Sequence, residues 1–173
     1  MWWVQLIVCS KPRAEWVASR YNGRKMEPPK NFLPVMEEAC EIIERIVSEQ
    51  LEIRERYALE WGGPCHGPPG TKWRANVAAS NCYTGRNESV GFHSDILSYL
   101  GPYTTIASLS LGTTRLFRLR EVIPKEEANQ RAAQTFNIPL SHNSLTIMHA
   151  TCQEYFKVCS TFAGLCCCLL QAD

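Results

Sequence analysis

Apolar positions along this chain follow two rhythms, and the change falls near Trp73. Before it, Val35, Ala39, Ile42, Ile43, Ile46 and Val47 recur at three- and four-residue intervals, with Glu37, Glu38, Glu41, Glu44 and Arg45 between them. That stripe predicts an amphipathic helix. Pro34 suits the first turn, where its missing N–H would have no helical partner anyway, and Asn31 stands nearby as a candidate cap. The helix is expected to extend or resume through Leu51 to Tyr57. The breakers Gly62-Gly63-Pro64 and His66-Gly67-Pro68-Pro69-Gly70 then mark a loop.

After Trp73 the segments are short and β-rich. Strands are expected over Asn76 to Tyr83, Val90 to Asp95, Thr105 to Leu111, Arg115 to Val122, Phe136 to Leu140 and Ser144 to Met148. Turns fall at Thr84-Gly85-Arg86-Asn87, at Gly101-Pro102 and at Ser141-His142-Asn143, and a polar loop or short helix at Glu126 to Ala133. In the fourth strand Leu116, Leu119 and Val122 stand against Arg115, Arg118, Arg120 and Glu121, with Phe117 out of step. Residues 1–30 read as irregular or short-strand structure. One helix followed by several short strands predicts an α+β chain with the helix packed on a β-sandwich or jelly roll.

With 173 residues, 45% of them apolar, the chain suits one domain with a sizeable core. Eighteen Lys and Arg against 17 Asp and Glu give no global argument for a polyanionic partner. Locally, Lys11, Arg13, Arg20, Arg24 and Lys25 face only Glu15, an excess that suits either a phosphate backbone or a solvated basic loop. The nine cysteines do not point to secretion. The opening Met1 to Cys9 lacks a basic stretch and a small-residue cleavage site, and neither it nor Phe162 to Leu170 is long enough to span a bilayer. The reading is an intracellular protein, nuclear or cytoplasmic, with reduced thiols and no membrane partner. Cys159, Cys166, Cys167 and Cys168 crowd the last 15 residues without any zinc-ligand spacing.

The chemistry centres on His93-Ser94-Asp95. Side chains one residue apart on an extended segment share a face, so this imidazole and carboxylate can chelate one divalent metal. A mononuclear iron oxygenase uses such a pair plus a distant histidine. Alone the triplet is weak, because His-x-Asp arises often by chance. Around it stand Asn81-Cys82-Tyr83, then Ile106-Ala107-Ser108-Leu109-Ser110-Leu111-Gly112, Arg115-Leu116-Phe117, and Ile138 to Met148.

In these ordered blocks the chain resembles the AlkB-like family of iron(II)- and 2-oxoglutarate-dependent dioxygenases, from about Trp16 to Lys157. Tyr21-Asn22-Gly23-Arg24 and the Pro-rich entry to the helix fit that family's DNA-handling lid. The resemblance implies a double-stranded β-helix (jelly roll) with the N-terminal amphipathic helix packed on it. It divides the chain into a lid or irregular segment over 1–30, an incomplete dioxygenase core over 31–157 and a non-family Cys-rich tail over 158–173. It makes His93 and Asp95 metal ligands, Asn81 and Tyr83 contacts of 2-oxoglutarate, and Arg115 and Phe117 lining of the substrate pocket. The implied cofactors are Fe(II) and 2-oxoglutarate. The implied reaction couples decarboxylation of 2-oxoglutarate to succinate with hydroxylation of an N-methyl group on a base of alkylated DNA or RNA, which then releases formaldehyde. No obligate protein partner is implied.

The departures are equally specific. Where the family carries its distal histidine, Glu154-Tyr155-Phe156-Lys157 is followed by Val158, which has no lone pair for a metal. No arginine follows Arg131, so the pairing of the far 2-oxoglutarate carboxylate has no counterpart, and Lys157 is the sole later cation. His149 has an odd offset that a regular strand would turn to the other face. His142 lies in a turn, His66 in a loop without a motif, and Cys159 would be a poor iron-oxygenase ligand. The expectation is a shortened product of an AlkB-like gene lacking its closing strands, impaired in catalysis. The alternative is a catalytically dead remnant that retains nucleic-acid or protein binding. A jelly-roll binding protein with a coincidental His-x-Asp is a third reading.

Overall fold

The computed structural model describes residues 3–9, 20–21, 24–25, 31–55, 72–75, 77–95 and 104–162. The predicted helix and its expected extension form one element, α1 (Pro34–Glu55). Leu33 O accepts the N–H groups of Met36 and Glu37 at 2.8 and 3.0 Å and starts the first turn. The buried face is narrower than the apolar pattern suggested. Cys40, Ile43, Val47 and Leu51 pack on Trp73 and Ala107, whereas Val35 and Ile42 are exposed. Two polar clips hold this layer in place. Glu44 Oε1 accepts the Ala75 N–H at 2.9 Å, and Trp73 Nε1 donates to Thr105 O at 3.1 Å.

The strands are β1 (Trp3–Cys9), β2 (Arg20–Tyr21), β3 (Arg24–Lys25), β4 (Val77–Tyr83), β5 (Val90–His93), β6 (Ile106–Gly112), β7 (Arg115–Glu121), β8 (Thr135–Leu140), β9 (Ser144–Met148) and β10 (Phe156–Phe162). A short helix, α2 (Cys152–Tyr155), precedes β10. The major sheet runs β4-β1-β6-β9 and the minor sheet β5-β10-β7-β8, with β2 and β3 a separate ladder. Every pairing is antiparallel. Tyr83, Ile106 and Met148 from the major sheet meet Phe117, Leu140 and Val158 from the minor sheet in one apolar cluster. The other face of the major sheet, through Ala107, carries α1. This is a helix on a two-sheet antiparallel sandwich, as expected of an α+β jelly roll.

Two elements differ from the sequence reading. The stretch read as irregular or short-strand, 1–30, supplies β1, which lies between β4 and β6. The expected boundary at Lys157 falls inside β10, which is hydrogen-bonded to β5 on one side and β7 on the other. The rest of the basic stretch, the His66 loop, the Gly101-Pro102 turn and the Cys166–Cys168 run lie outside the described residues.

The inner face of β7 also differs from the simple apolar count, which grouped Leu116 and Val122 with Leu119. Residues opposite one another across an antiparallel pair share a face. Val158 lies opposite Leu119 and Ser160 opposite Phe117, so Arg115, Phe117, Leu119 and Glu121 share the face that meets the other sheet. Phe117, the residue out of step in sequence, is the core residue, and it is flanked along that face by charge. Arg115 is 2% exposed. Glu121 accepts from Arg131 at 2.7 Å (Nη1 to Oε2) and 2.6 Å (Nη2 to Oε1), and from the Gln134 N–H at 3.2 Å. Arg131 Nε also donates to Glu127 at 2.7 Å. A forked arginine on a nearly buried carboxylate fixes the β7–β8 connection.

Two consequences are measurable. Leu51→Ala should cost about 2–5 kcal/mol in chemical denaturation, whereas Ile42→Ala on the exposed face should stay within about 0.5 kcal/mol. The bonds from Arg131 and the Gln134 N–H hold the Glu121 carboxyl below the usual carboxylate range. A depressed folded-state pKa contributes stability that is present above the ordinary carboxylate pKa and lost as pH falls through the folded value. Glu121→Gln should therefore lower the melting temperature at pH 7, and the gap from the unmodified chain should narrow as the buffer is taken to acid.

Candidate metal-binding site

The His-Ser-Asp triplet lies where β5 ends. His93 Nε2 and Asp95 Oδ1 are 3.8 Å apart, close enough to converge on one cation. His93 Nδ1 is 2.8 Å from Gly91 O. A carbonyl only accepts, so Nδ1 donates in that bond and Nε2 is the ring atom on the side of Asp95. Orientation of a ligating imidazole by a backbone carbonyl is a common second layer of metal sites. Burial pushes the Asp95 carboxyl up, and His93 opposes that shift.

Each residue of the triplet is tied to one later segment. His93 is the Cα partner of Val158. Ser94 Oγ donates to Phe156 O at 3.2 Å. The Asp95 N–H donates to Gln153 Oε1 at 2.9 Å. Gln153 is 2% exposed, and its Nε2 donates to Met148 Sδ at 3.4 Å. The carboxamide thus bridges the loop bearing Asp95 and the end of β9. Nothing in the local sequence singles out Gln153, because its partner lies 58 positions earlier.

The other predicted site residues gather around Tyr83. Asn81 and Tyr83 are two apart on β4 and share its inner face, Asn81 half-buried and Tyr83 buried. The Arg115 guanidinium lies 4.6 Å from the centroid of the Tyr83 ring, and its Nη2 donates to Glu88 O. The Glu88 carboxylate accepts the Thr84 N–H at 2.6 Å and the Thr84 hydroxyl at 3.1 Å, which pulls its pKa down and closes the β4–β5 turn. Phe117 is 4% exposed and packs in the same cluster as Val158. Arg115 and Phe117 are therefore embedded in the sandwich, not displayed at its surface.

The residues present fit two of the three protein positions of a facial iron site and not the third. The position opposite His93 is filled by Val158, 4% exposed among Tyr83, Phe117 and Leu140. Among the described residues no three His, Cys, Asp or Glu side chains converge on a point. Cys159, next in sequence, alternates to the opposite face of β10. Cys152 lies beside Asp95, but burial and the neighbouring Glu154 and Asp95 charges push its thiol up to about 11.

A two-sheet antiparallel sandwich with a His-x-Asp pair at a strand end is the scaffold of the iron- and 2-oxoglutarate-dependent oxygenases. The profile of the 2OG-Fe(II) oxygenase superfamily matches residues 5–162, and the chain belongs to that superfamily, as an AlkB-like member. It is 39% identical over 79 residues to the alpha-ketoglutarate-dependent dioxygenase alkB homolog 3 of Homo sapiens and of Mus musculus. The identity to the Bos taurus protein is 38% over the same length. That stretch is 45% of this chain and 28% of each relative, so the chain matches under a third of their length.

Removal of the Gln153 carboxamide should leave the Asp95 N–H without its acceptor, at a cost of about 1–3 kcal/mol. Gln153→Leu is expected to lower stability by that amount and to accelerate amide hydrogen exchange at Asp95. Unchanged exchange there would contradict the bridging role.

Proposed function

We propose that this chain derives from an AlkB-type dioxygenase acting on alkylated bases of DNA or RNA, and that its own oxidative turnover is impaired, with nucleic-acid binding retained. One observation carries the second half: Val158 occupies the position in register with His93. The imidazole is oriented by Gly91 O and the Asp95 backbone is tied to Gln153, yet the strand that should complete the set presents an aliphatic side chain. Two ligands hold a divalent ion far less tightly than three. Asn81 and Tyr83, with His93 and Asp95, are the residues assigned to 2-oxoglutarate and iron, and AlkB-like membership supports that assignment. The substrate class rests on the AlkB-like resemblance together with the basic stretch between Lys11 and Lys25.

The test is anaerobic metal titration followed by succinate measurement with an N-methylated single-stranded oligonucleotide. The unmodified chain should take up less than one Fe(II) and yield no succinate above the protein-free background. Val158→His should tighten metal binding by about tenfold or more, equivalent to about 1.4 kcal/mol. Stoichiometric iron and substrate-dependent succinate in the unmodified chain would overturn the impairment.

A further inference from the structure

The alternation that sends Val158 inward sends its neighbours outward. The outer face of the minor sheet carries Phe92 from β5, Lys157 and Cys159 from β10, Leu116, Arg118 and Arg120 from β7, and Thr135 and Asn137 from β8. Lys157 lies opposite Arg120, and Cys159 opposite Arg118, so the three cations fall on adjacent rows. Arg120 is opposite Thr135 and Arg118 opposite Asn137. Among the described residues this face bears no carboxylate, and none of its three cations takes part in an ion pair. Unpaired like charges on neighbouring strands repel one another, and no carboxylate on this face neutralises them.

The guanidinium groups are nonetheless held in place. Arg120 lies 4.1 Å and Arg118 5.6 Å from the centroid of the Phe92 ring. Arg118 Nε also donates to Asn137 Oδ1 at 3.0 Å. The aromatic face attracts both cations and reduces their rotamer freedom. Arg120 and Lys157 remain exposed and Arg118 half-exposed. Pre-positioned guanidiniums around an aromatic ring, free of acidic partners, match the chemistry of a phosphate backbone with stacking bases.

We infer that this outer face, built on Phe92, Arg118, Arg120 and Lys157, is a docking surface for single-stranded nucleic acid. It lies on the side of the minor sheet away from the core. The inference rests on the nucleic-acid reading above and gives that binding a location separate from the His93–Asp95 pair. Because phosphates would be met as charges and bases as stacking surfaces, affinity should depend on salt and little on sequence.

The test is fluorescence anisotropy of a labelled single-stranded oligonucleotide titrated with metal-free full-length chain at several salt concentrations. The triple variant Arg118→Ala, Arg120→Ala, Lys157→Ala should flatten the slope of log affinity against log salt by about 2, at about 0.7 per lost phosphate contact. Lys125→Ala, a cation in the β7–β8 connection, should leave the slope unchanged. The charge-preserving pair Arg118→Lys and Arg120→Lys keeps the test valid if the alanine variant fails to fold, and it should retain most of the slope. Equal slopes for the unmodified and triple-variant chains would overturn the surface while leaving nucleic-acid binding intact. An unmodified chain that does not bind the oligonucleotide overturns both readings. Equally tight, equally Arg-dependent binding of a polyglutamate peptide would reassign the face to acidic proteins.

Discussion

Strand β10 is the constraint on which the minor sheet depends. It is hydrogen-bonded to β7 along its whole length and to β5 at two positions, and without it β5 has no partner strand among the described residues. Its lead-in segment also restrains the His93-Ser94-Asp95 triplet, through the Gln153 carboxamide and the Phe156 carbonyl. The geometry that brings His93 and Asp95 together is thus imposed from 60 residues away in sequence. A local motif becomes a site only when this distant strand docks.

This dependence explains which parts were readable from sequence. Strand positions after Trp73 and the long helix followed from periodicity, since both are local patterns expressed over many residues. The triplet was readable from its spacing, and the oddity of Val158 from the resemblance to a family that carries a histidine there. The inner face of β7 was not, because Arg115 and Glu121 are charged and occupy the inward positions. Each is accommodated by a partner that sequence does not reveal: the Tyr83 ring and Glu88 carbonyl for one, the Arg131 fork for the other. The role of Gln153 and the place of β1 between β4 and β6 were not legible for a related reason. Their roles are contacts with segments tens of residues distant, and they leave no periodic trace.

The local geometry of the His93–Asp95 pair is fixed largely by backbone contacts. The Nδ1 bond to Gly91, the Ser94 tie and the Gln153 bridge are all backbone-directed, so none of them depends on the identity of residue 158. Val158 meanwhile adds an apolar side chain to a cluster with Tyr83 and Phe117, and burial there stabilises the fold.

The adjacency of Lys157 and Val158 has a further consequence for folding. Shifting a strand by one residue exchanges its two faces. A slipped β10 would press Lys157 into the apolar cluster and turn Val158 out to water, and an unpaired buried ammonium is strongly unfavourable. The contrast between those two neighbours therefore acts as a lock on register, holding Val158 opposite His93.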